Sequence, residues 1–297
     1  MDTVPARQLL TSLRPDMEHF FYAHYNMNLY RGCSHGCIYC DSRSLCYHLT
    51  DFDHVRVKKD ALALLDRELR AKRRPGIISL GAMSDPYNPF ERVEKVTRGA
   101  LALCQRHGFG VAFTTKAALC ARDADILAKL GHSVPVRACL TLTCASDALC
   151  RKIEPHVSPT SQRLEALRTL SEAGVYAGIW LNPVLPYLTD AWSNLEELLV
   201  RTHDAGGRYA VCFFGMTLRS GNREYFFRAL DRDFPGIKEA YLRNYGNQYF
   251  CLARDAENLA RQYERLCDRL GLAYTFGQIN RQMLAHQPRQ LSLLEGP

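Results

Sequence analysis

Along residues 26–215 six short apolar runs alternate with amphipathic stretches, and this alternation restricts the fold more than any other feature of the sequence. The runs are "NMNLYRG" (26–32), "GIISLGA" (76–82), "GFGVAFTT" (108–115), "VPVRACLTLT" (134–143), "GVYAGIWLNP" (174–183) and "GRYAVCFFG" (207–215), each with the length and composition of a strand. Between them, helical spacing predicts helices near 58–73, 93–107, 120–130, 159–173 and 190–204. The fourth has Ser158 as cap, Pro159 at its first position and Gly174 past its end. A strand–helix–strand unit returns the chain in its starting direction, so the strands are expected side by side in a parallel sheet. Six units suit an α/β fold built as a partial (β/α)6 barrel of TIM type better than a closed barrel of eight, with functional groups on loops at the C-terminal strand ends. Beyond 215 the alternation stops. There "LARDAENLARQYERLCDRLGL" puts Leu252, Ala256, Leu259, Tyr263, Leu266 and Leu270 on one stripe, which predicts a helical C-terminal appendage. The expected division is an N-terminal extension over 1–25, the barrel over 26–215 and a helical cap over 216–297.

No run of eighteen apolar residues is present, and Arg7, Arg14, Asp16, Glu18 and His19 interrupt the first thirty positions. Neither a membrane span nor a signal peptide is therefore expected, and the reading is a soluble, cytoplasmic protein. In that compartment twelve cysteines read as reduced thiols and metal ligands rather than as disulfides. A formal charge of +7 leans toward an anionic partner such as a nucleic acid or nucleotide. The densest basic segment, Arg56 to Arg74, carries eight Lys or Arg against three acids, but Leu62, Leu65 and Leu69 mark it as an amphipathic helix with a solvated face.

Three of the cysteines stand together in "YRGCSHGCIYCDSR" (30–43), spaced C-x3-C-x2-C, in a loop that follows the first expected strand. A loop this short can aim Cys33, Cys37 and Cys40 at one inorganic centre. Zinc would want a fourth ligand, which His35 or Cys46 could supply. A [4Fe-4S] cluster held by three thiolates leaves one iron open to an outside ligand. Plain packing of small apolar side chains is the third reading, and a polar, Gly-rich loop with His35 inside it argues against that.

The spacing, its place after the first strand of a βα chain and the aromatic Tyr39 before the last cysteine together resemble the radical S-adenosylmethionine (SAM) enzymes. Further blocks narrow the resemblance to the spore photoproduct lyase-like branch: "MSDPYNPFE" (83–91) with "TR" (97–98), "TTKAALCARDADIL" (114–127), "KIEPHVSPTSQRLEAL" (152–167) and "NPVLPYLTD" (182–190). The resemblance implies a partial barrel of the radical SAM kind and a [4Fe-4S] cluster on Cys33, Cys37 and Cys40, with SAM chelating the open iron. It also implies a low-potential electron donor such as flavodoxin or ferredoxin. One electron then splits SAM into methionine and a 5'-deoxyadenosyl radical, which abstracts hydrogen from a substrate.

By the same resemblance Ser84 and Asp85 face the amino group of SAM, Lys116 pairs with its carboxylate, and Tyr39 and the segment from Ile179 to Pro183 flank the adenine. Read without it, Ser84 is as readily a helix cap and Ile179 a buried strand residue. Cys139, Cys212, Cys46 and Cys144 are candidate hydrogen donors, each also readable as small apolar filler. In the photoproduct lyases, as the blocks align, the hydrogen-donating cysteine stands three residues before the Asp that corresponds to Asp85. Here that position is Ala82. The substrate is accordingly expected outside dithymine repair, among nucleic acids or nucleotides, peptides and metabolites. Two alternatives stand beside this reading: a DNA photoproduct lyase-type repair enzyme, and a non-catalytic iron–sulfur or zinc protein that binds or senses.

Overall fold

The computed structural model describes residues 1–14 and 22–286. Part of the expected extension and the end of the expected cap lie outside the described residues. Seven strands form the main sheet: β1 (Leu10–Ser12), β2 (Tyr25–Met27), β3 (Ile77–Leu80), β4 (Gly110–Thr115), β5 (Val136–Thr141), β6 (Ala177–Trp180) and β7 (Ala210–Val211). They lie in the order β7-β6-β5-β4-β3-β2-β1, with every pairing parallel except β1 to β2. The sheet is open among the described residues, as a partial barrel requires. Helices α1 (Ala61–Ala71), α2 (Val96–His107), α3 (Ala124–Gly131), α4 (Thr160–Glu172) and α5 (Trp192–Asp204) follow the successive strands. Their apolar stripes close one core with the sheet: Leu65, Leu101, Leu127, Leu167 and Leu195 share a cluster with Ile78, Val111, Leu140 and Ile179, all at most 2% exposed. Burying side chains of this size on the same face stabilises each βα unit by about 1.5–3 kcal/mol per residue, so the alternation read in the sequence translates directly into layers.

Several boundaries differ from the sequence reading, each for a local reason. The first run divides: β2 ends at Met27, while Tyr30–Arg31 joins Arg56–Lys58 and Thr3–Val4 in a separate three-stranded sheet. In α1 the buried face is Ala61, Leu64, Leu65 and Leu69, and Leu62 is 36% exposed. Helix α4 starts at Thr160 with Pro159 as N-cap; Ser158 turns away, and its hydroxyl accepts the Ala118 N–H at 2.9 Å. The sixth run contributes only Ala210–Val211. Beyond it, β8 (Gly215–Thr217) leaves the sheet and pairs antiparallel with β9 (Phe250–Leu252). The tail is thus not purely helical, and Leu252 sits in β9, 53% exposed, rather than on the helical stripe. Helices α6 (Asn222–Asp233) and α7 (Ile237–Tyr245) lie between those strands. Helix α8 (Ala256–Leu270) then buries Leu259, Tyr263 and Leu266, and the chain after it returns to the sheet, where Ala273 bridges Tyr209 in parallel before α9 (Phe276–Ala285). Among the described residues no helix is long and apolar enough to cross a membrane.

Candidate functional site

The cysteine loop leaves the end of β2 and is pinned at three points. The Cys33 N–H donates to the Phe52 carbonyl at 2.8 Å, the Ile38 N–H to Ile153 at 3.0 Å, and the His156 N–H to the His35 carbonyl at 3.1 Å. Gly36 adopts φ +68°, and a Cβ there would lie 3.0 Å from the His156 ring and 3.2 Å from Pro155, so the turn and the close approach both call for glycine. Opposite, Gly81 (φ +96°) turns the chain at the end of β3 where a Cβ would meet the Thr114 carbonyl at 2.2 Å, and this delivers residues 82–85 toward the cysteine loop.

Between these loops lies a cavity of about 690 Å³. Cys33, Cys37 and Cys40 all line it, as do Tyr39, Ala82, Ser84, Asp85, Lys116, Cys139 and Pro183. All twelve cysteines are free thiols. Among the described residues no group of three or more His, Cys, Asp or Glu side chains could hold a metal ion. The three loop thiols share one chamber, and three soft donors there suit an iron–sulfur centre. Burial pushes the Cys33 thiol up to about 12 and raises Cys37 well above its ordinary value, with Lys116 opposing the shift at Cys37. At Lys116 burial favours the neutral amine, but Cys37, Glu154, Cys40 and Asp85 hold the ammonium above its ordinary value. The lysine is thus a cation of the chamber beside the cysteines, its Nζ 5.7 Å from the Tyr39 ring centroid.

Asp85 is buried and already engaged. Its Oδ1 accepts from the Thr115 hydroxyl at 2.6 Å and the Tyr87 N–H at 2.8 Å, its Oδ2 from the Lys116 N–H at 2.8 Å, and the His35 Nδ1 lies 3.4 Å away. This carboxylate ties the 82–85 loop to the end of β4 and so aims Lys116. The Ser84 hydroxyl donates to the Gly32 carbonyl at 2.6 Å, which joins the same loop to the cysteine loop. Ser84 caps no helix.

Two buried charged groups went unread in the sequence as functional, although both lie inside the quoted blocks. Behind the cysteine loop Glu154 and Arg163, each fully buried, form an ion pair. Glu154 also accepts from the Tyr39 hydroxyl and from Thr143 Oγ1 at 3.1 Å, while Arg163 donates to the Thr141 carbonyl at 2.6 Å and lies 2.9 Å from the Cys150 sulfur. Burial pushes the Glu154 carboxyl up, but Arg163, Lys116 and the Tyr39 hydroxyl together hold it below its ordinary value. The second group is Glu91, which accepts from Tyr30 and from the Thr97 N–H at 2.9 Å and pairs with Arg122 at 2.7 Å. Arg122 and Arg98 both reach buried Asp123, at 2.8 and 2.9 Å. Paired acids and arginines spaced along helical blocks were the available signal.

The remaining candidates are divided by strand alternation. On β5, Arg137, Cys139 and Thr141 face the cavity and Ala138 and Leu140 the core; on β7 Val211 lines the cavity, and just past the strand Cys212 packs against the core instead. Ile179 is fully buried on the helix side, while Trp180, Asn182 and Pro183 line the cavity. Cys144 packs beside Cys150 in a separate cluster, and Cys46 is exposed, with an Arg219 Nη1 at 3.4 Å from its sulfur. Of the four candidate hydrogen donors, Cys139 is the one that lines the cavity.

An open parallel α/β barrel whose thiol-bearing loop faces the C-terminal strand ends is a framework for cofactor-dependent chemistry at those ends. The model of the radical SAM superfamily matches residues 27–199, more than half of the chain, and the protein belongs to that superfamily. Membership supports an enzyme and implies SAM and an iron–sulfur cluster. An uncharacterized protein of Mycobacterium tuberculosis is 33% identical over 228 residues, 74% of this chain and 67% of the relative; one of Methanocaldococcus jannaschii is 31% identical over 215 residues, 72% and 77%. A solved structure of spore photoproduct lyase complexed with dinucleoside spore photoproduct superposes with a TM-score of 0.67 over 92% of this chain and 81% of that one, at 16% identity. At that identity the likeness is one of fold.

Proposed function

We propose that this chain holds a [4Fe-4S] cluster on Cys33, Cys37 and Cys40, cleaves SAM reductively and abstracts hydrogen from a substrate bound in the same cavity. The observation that carries the reading is the convergence of three free thiols and one ammonium, that of Lys116, on a single chamber at the C-terminal strand ends. When bound and reduced, the cluster supplies the electron that splits the SAM sulfonium and releases the 5'-deoxyadenosyl radical. Lys116 is suited to hold the SAM carboxylate by a charge-assisted hydrogen bond. Ser84 and Asp85 are assigned to its amino group, Asp85 also fixing the strand end that carries Lys116, and Tyr39 and Pro183 to the adenine walls. Ile179 stands behind Trp180 as support. Burial pushes the Cys139 thiol up to about 11, so it keeps its S–H hydrogen at neutral pH and is the preferred donor. Trp180, Phe213 and Arg137 in the same cavity favour a flat, anionic substrate such as a nucleotide. Residues 26–215 are proposed as the catalytic unit, with the flanks closing it.

The test is anaerobic reconstitution followed by dithionite. About four irons per chain and slow release of 5'-deoxyadenosine from SAM are expected. Tight binding of one zinc with no iron overturns the reading. Ala82 lines the cavity, and by the resemblance of the blocks it stands where the lyases carry a cysteine, which supports a substrate outside dithymine repair. Incubating reduced protein and SAM with dinucleotide spore photoproduct checks this, and clean multiple-turnover release of thymine dinucleotide refutes it.

A further inference from the structure

Strand register arranges the lumen of the barrel in three layers. The upper layer, at the C-terminal strand ends, sets Thr141, Trp180 and Val211 side by side, with Lys116 just past the end of β4. The middle layer is Thr114, Cys139 and Gly178. A Cβ at Gly178 would lie 2.6 Å from the Tyr209 ring, which is fixed by its hydroxyl, a donor to the Ala138 carbonyl at 2.7 Å. The lower layer is Asn26, Ser79, Ala112 and Arg137. All of these except Gly178 line the same cavity.

The lower layer departs from what packing asks. Barrel layers are ordinarily filled by branched apolar side chains, yet Asn26, Ser79 and Arg137 are polar. The Asn26 Oδ1 is buried with no hydrogen-bond partner among the described residues, and a buried acceptor is costly until a donor completes it. Arg137 reaches the Asn280 Oδ1 at 3.3 Å on α9, whose Phe276 and Ile279 line the cavity as well. Among the described lining residues the acids are Asp41 and Asp85, and both stand at the cysteine end: Asp41 follows Cys40, and Asp85 accepts the Lys116 N–H. The cavity thus carries one cation beside the thiols and another two layers below. Two layers are four residues of strand, about 13 Å, which is too far for one carboxylate to satisfy both.

We infer that Arg137 anchors the anionic group of the substrate and that Asn26 and Ser79 read the atoms beside it. The inference rests on the radical SAM reading and deepens it: SAM takes the end with Lys116, and the substrate takes the middle and lower layers. The substrate is then a compact organic anion, a carboxylate or a phosphate monoester, that enters charge first. Its reacting carbon lies beside Cys139, one layer or about 7 Å from its charged group. Asn26 adds a second demand, because its unmet acceptor takes an N–H or O–H next to the anion. A neutral analogue of such a ligand offers the guanidinium no charge to offset its desolvation, so this layer discriminates by charge as well as by shape.

The experiment measures two matched pairs of probes, orotate against uracil and uridine 5'-monophosphate against uridine, by anaerobic equilibrium dialysis against reconstituted protein with SAM present. In wild type at least one anion is expected to bind roughly tenfold more tightly than its neutral partner, and the pair that shows the preference tells carboxylate from phosphate. Arg137→Gln should bring that pair to equal affinity, and Arg137→Lys should restore part of the preference. Asn26→Asp, which sets a like charge beside the anion with Arg137 intact, should abolish it. SAM affinity should stay at the wild-type level in Arg137→Gln, whereas Lys116→Ala should lower it and keep the anion preference. Equal affinity for anion and neutral partner in wild type, an undiminished preference in Arg137→Gln, or a loss of SAM affinity in Arg137→Gln as large as in Lys116→Ala overturns the inference. Protein that takes up no iron, or that leaves SAM intact with dithionite, overturns the radical SAM reading instead, and neither of those results follows from the dialysis of the probes.

Discussion

The two buried charged knots differ in what they touch. Glu154 and Arg163 are sealed at 0% exposure and reach the cavity through Tyr39, whose hydroxyl meets Glu154 from inside the cysteine loop. Glu91, Arg122, Asp123 and Arg98 form a branched network with half-exposed arginines, which ties the loop after β3 to the segment after β4. Both bury carboxylates, and a buried ion pair is weak evidence of added stability, since desolvation offsets much of its attraction. The difference lies in exposure. Glu91 and Glu154 each have one cation in direct contact, but Arg122 is 23% exposed, so water reaches the branched network, whereas Arg163 is sealed; Asp123 alone keeps a second arginine. The first knot therefore behaves as part of the site and the second as a clamp on the scaffold.

That comparison breaks most sharply at Arg163. Arg163→Leu leaves Glu154 buried without its partner, and a loss of about 3–5 kcal/mol is expected in chemical denaturation. Iron incorporation should fall as well, because the Tyr39 side of the cysteine loop loses its anchor; a stable variant with full iron loading would reduce this knot to a clamp like the other. Lys116 adjoins the first knot, its N–H on Asp85 and its charge near Glu154. Lys116→Ala should weaken SAM binding roughly tenfold to a hundredfold, matching about 1.5–3 kcal/mol for a charge-assisted hydrogen bond, and leave iron content unchanged. Unaltered SAM affinity by equilibrium dialysis would move the carboxylate elsewhere.

Arg122→Ala should cost less, about 1–2 kcal/mol, because Glu91 keeps Tyr30 and the Thr97 N–H and Asp123 keeps Arg98. Iron content and SAM affinity should not change, and a defect in either would show that the clamp shapes the site. The smallest effect is on pH. The Glu154 carboxyl is held below its ordinary value in the folded protein, so its contribution to stability is fully present above the ordinary carboxylate range, about 4.3, and is lost as pH falls through the lower folded value. Glu154→Gln should therefore flatten the acid limb of thermal stability below about pH 4, relative to wild type. Parallel acid limbs in the two proteins would place the responsible carboxylates elsewhere.

What could be read from the sequence was local in origin. Strand and helix identity along 26–215 follows from periodicity, and the cysteine loop from spacing, both of which are set by neighbours in the chain. The splitting of the first run shows the limit: "NMNLYRG" reads as one weak strand, but Tyr30–Arg31 finds its partner in Arg56–Lys58, and nothing in the run records that. The same holds for the donors. Cys139 and Cys212 both stand in strand-like runs, but Cys139 lies within β5 and faces the cavity, while β7 ends at Val211 and Cys212, just past it, packs against the core.

By itself the sequence determined a βα chain, three grouped thiols after its first strand, and the block of residues that carries Lys116. The tertiary structure alone decided that Asp85 is spent on orienting the end of β4, that Tyr39 is held by Glu154 across 115 positions, and that the cysteine loop is a wall with a chamber on one side and an outer groove, lined by Ser34, Gly36 and Ile38, on the other. The physical reason is separation. Periodicity and motif spacing report interactions between residues a few positions apart, whereas burial of a charge, the partner of a carboxylate and the face a side chain takes are fixed by segments that meet only after the sheet has formed.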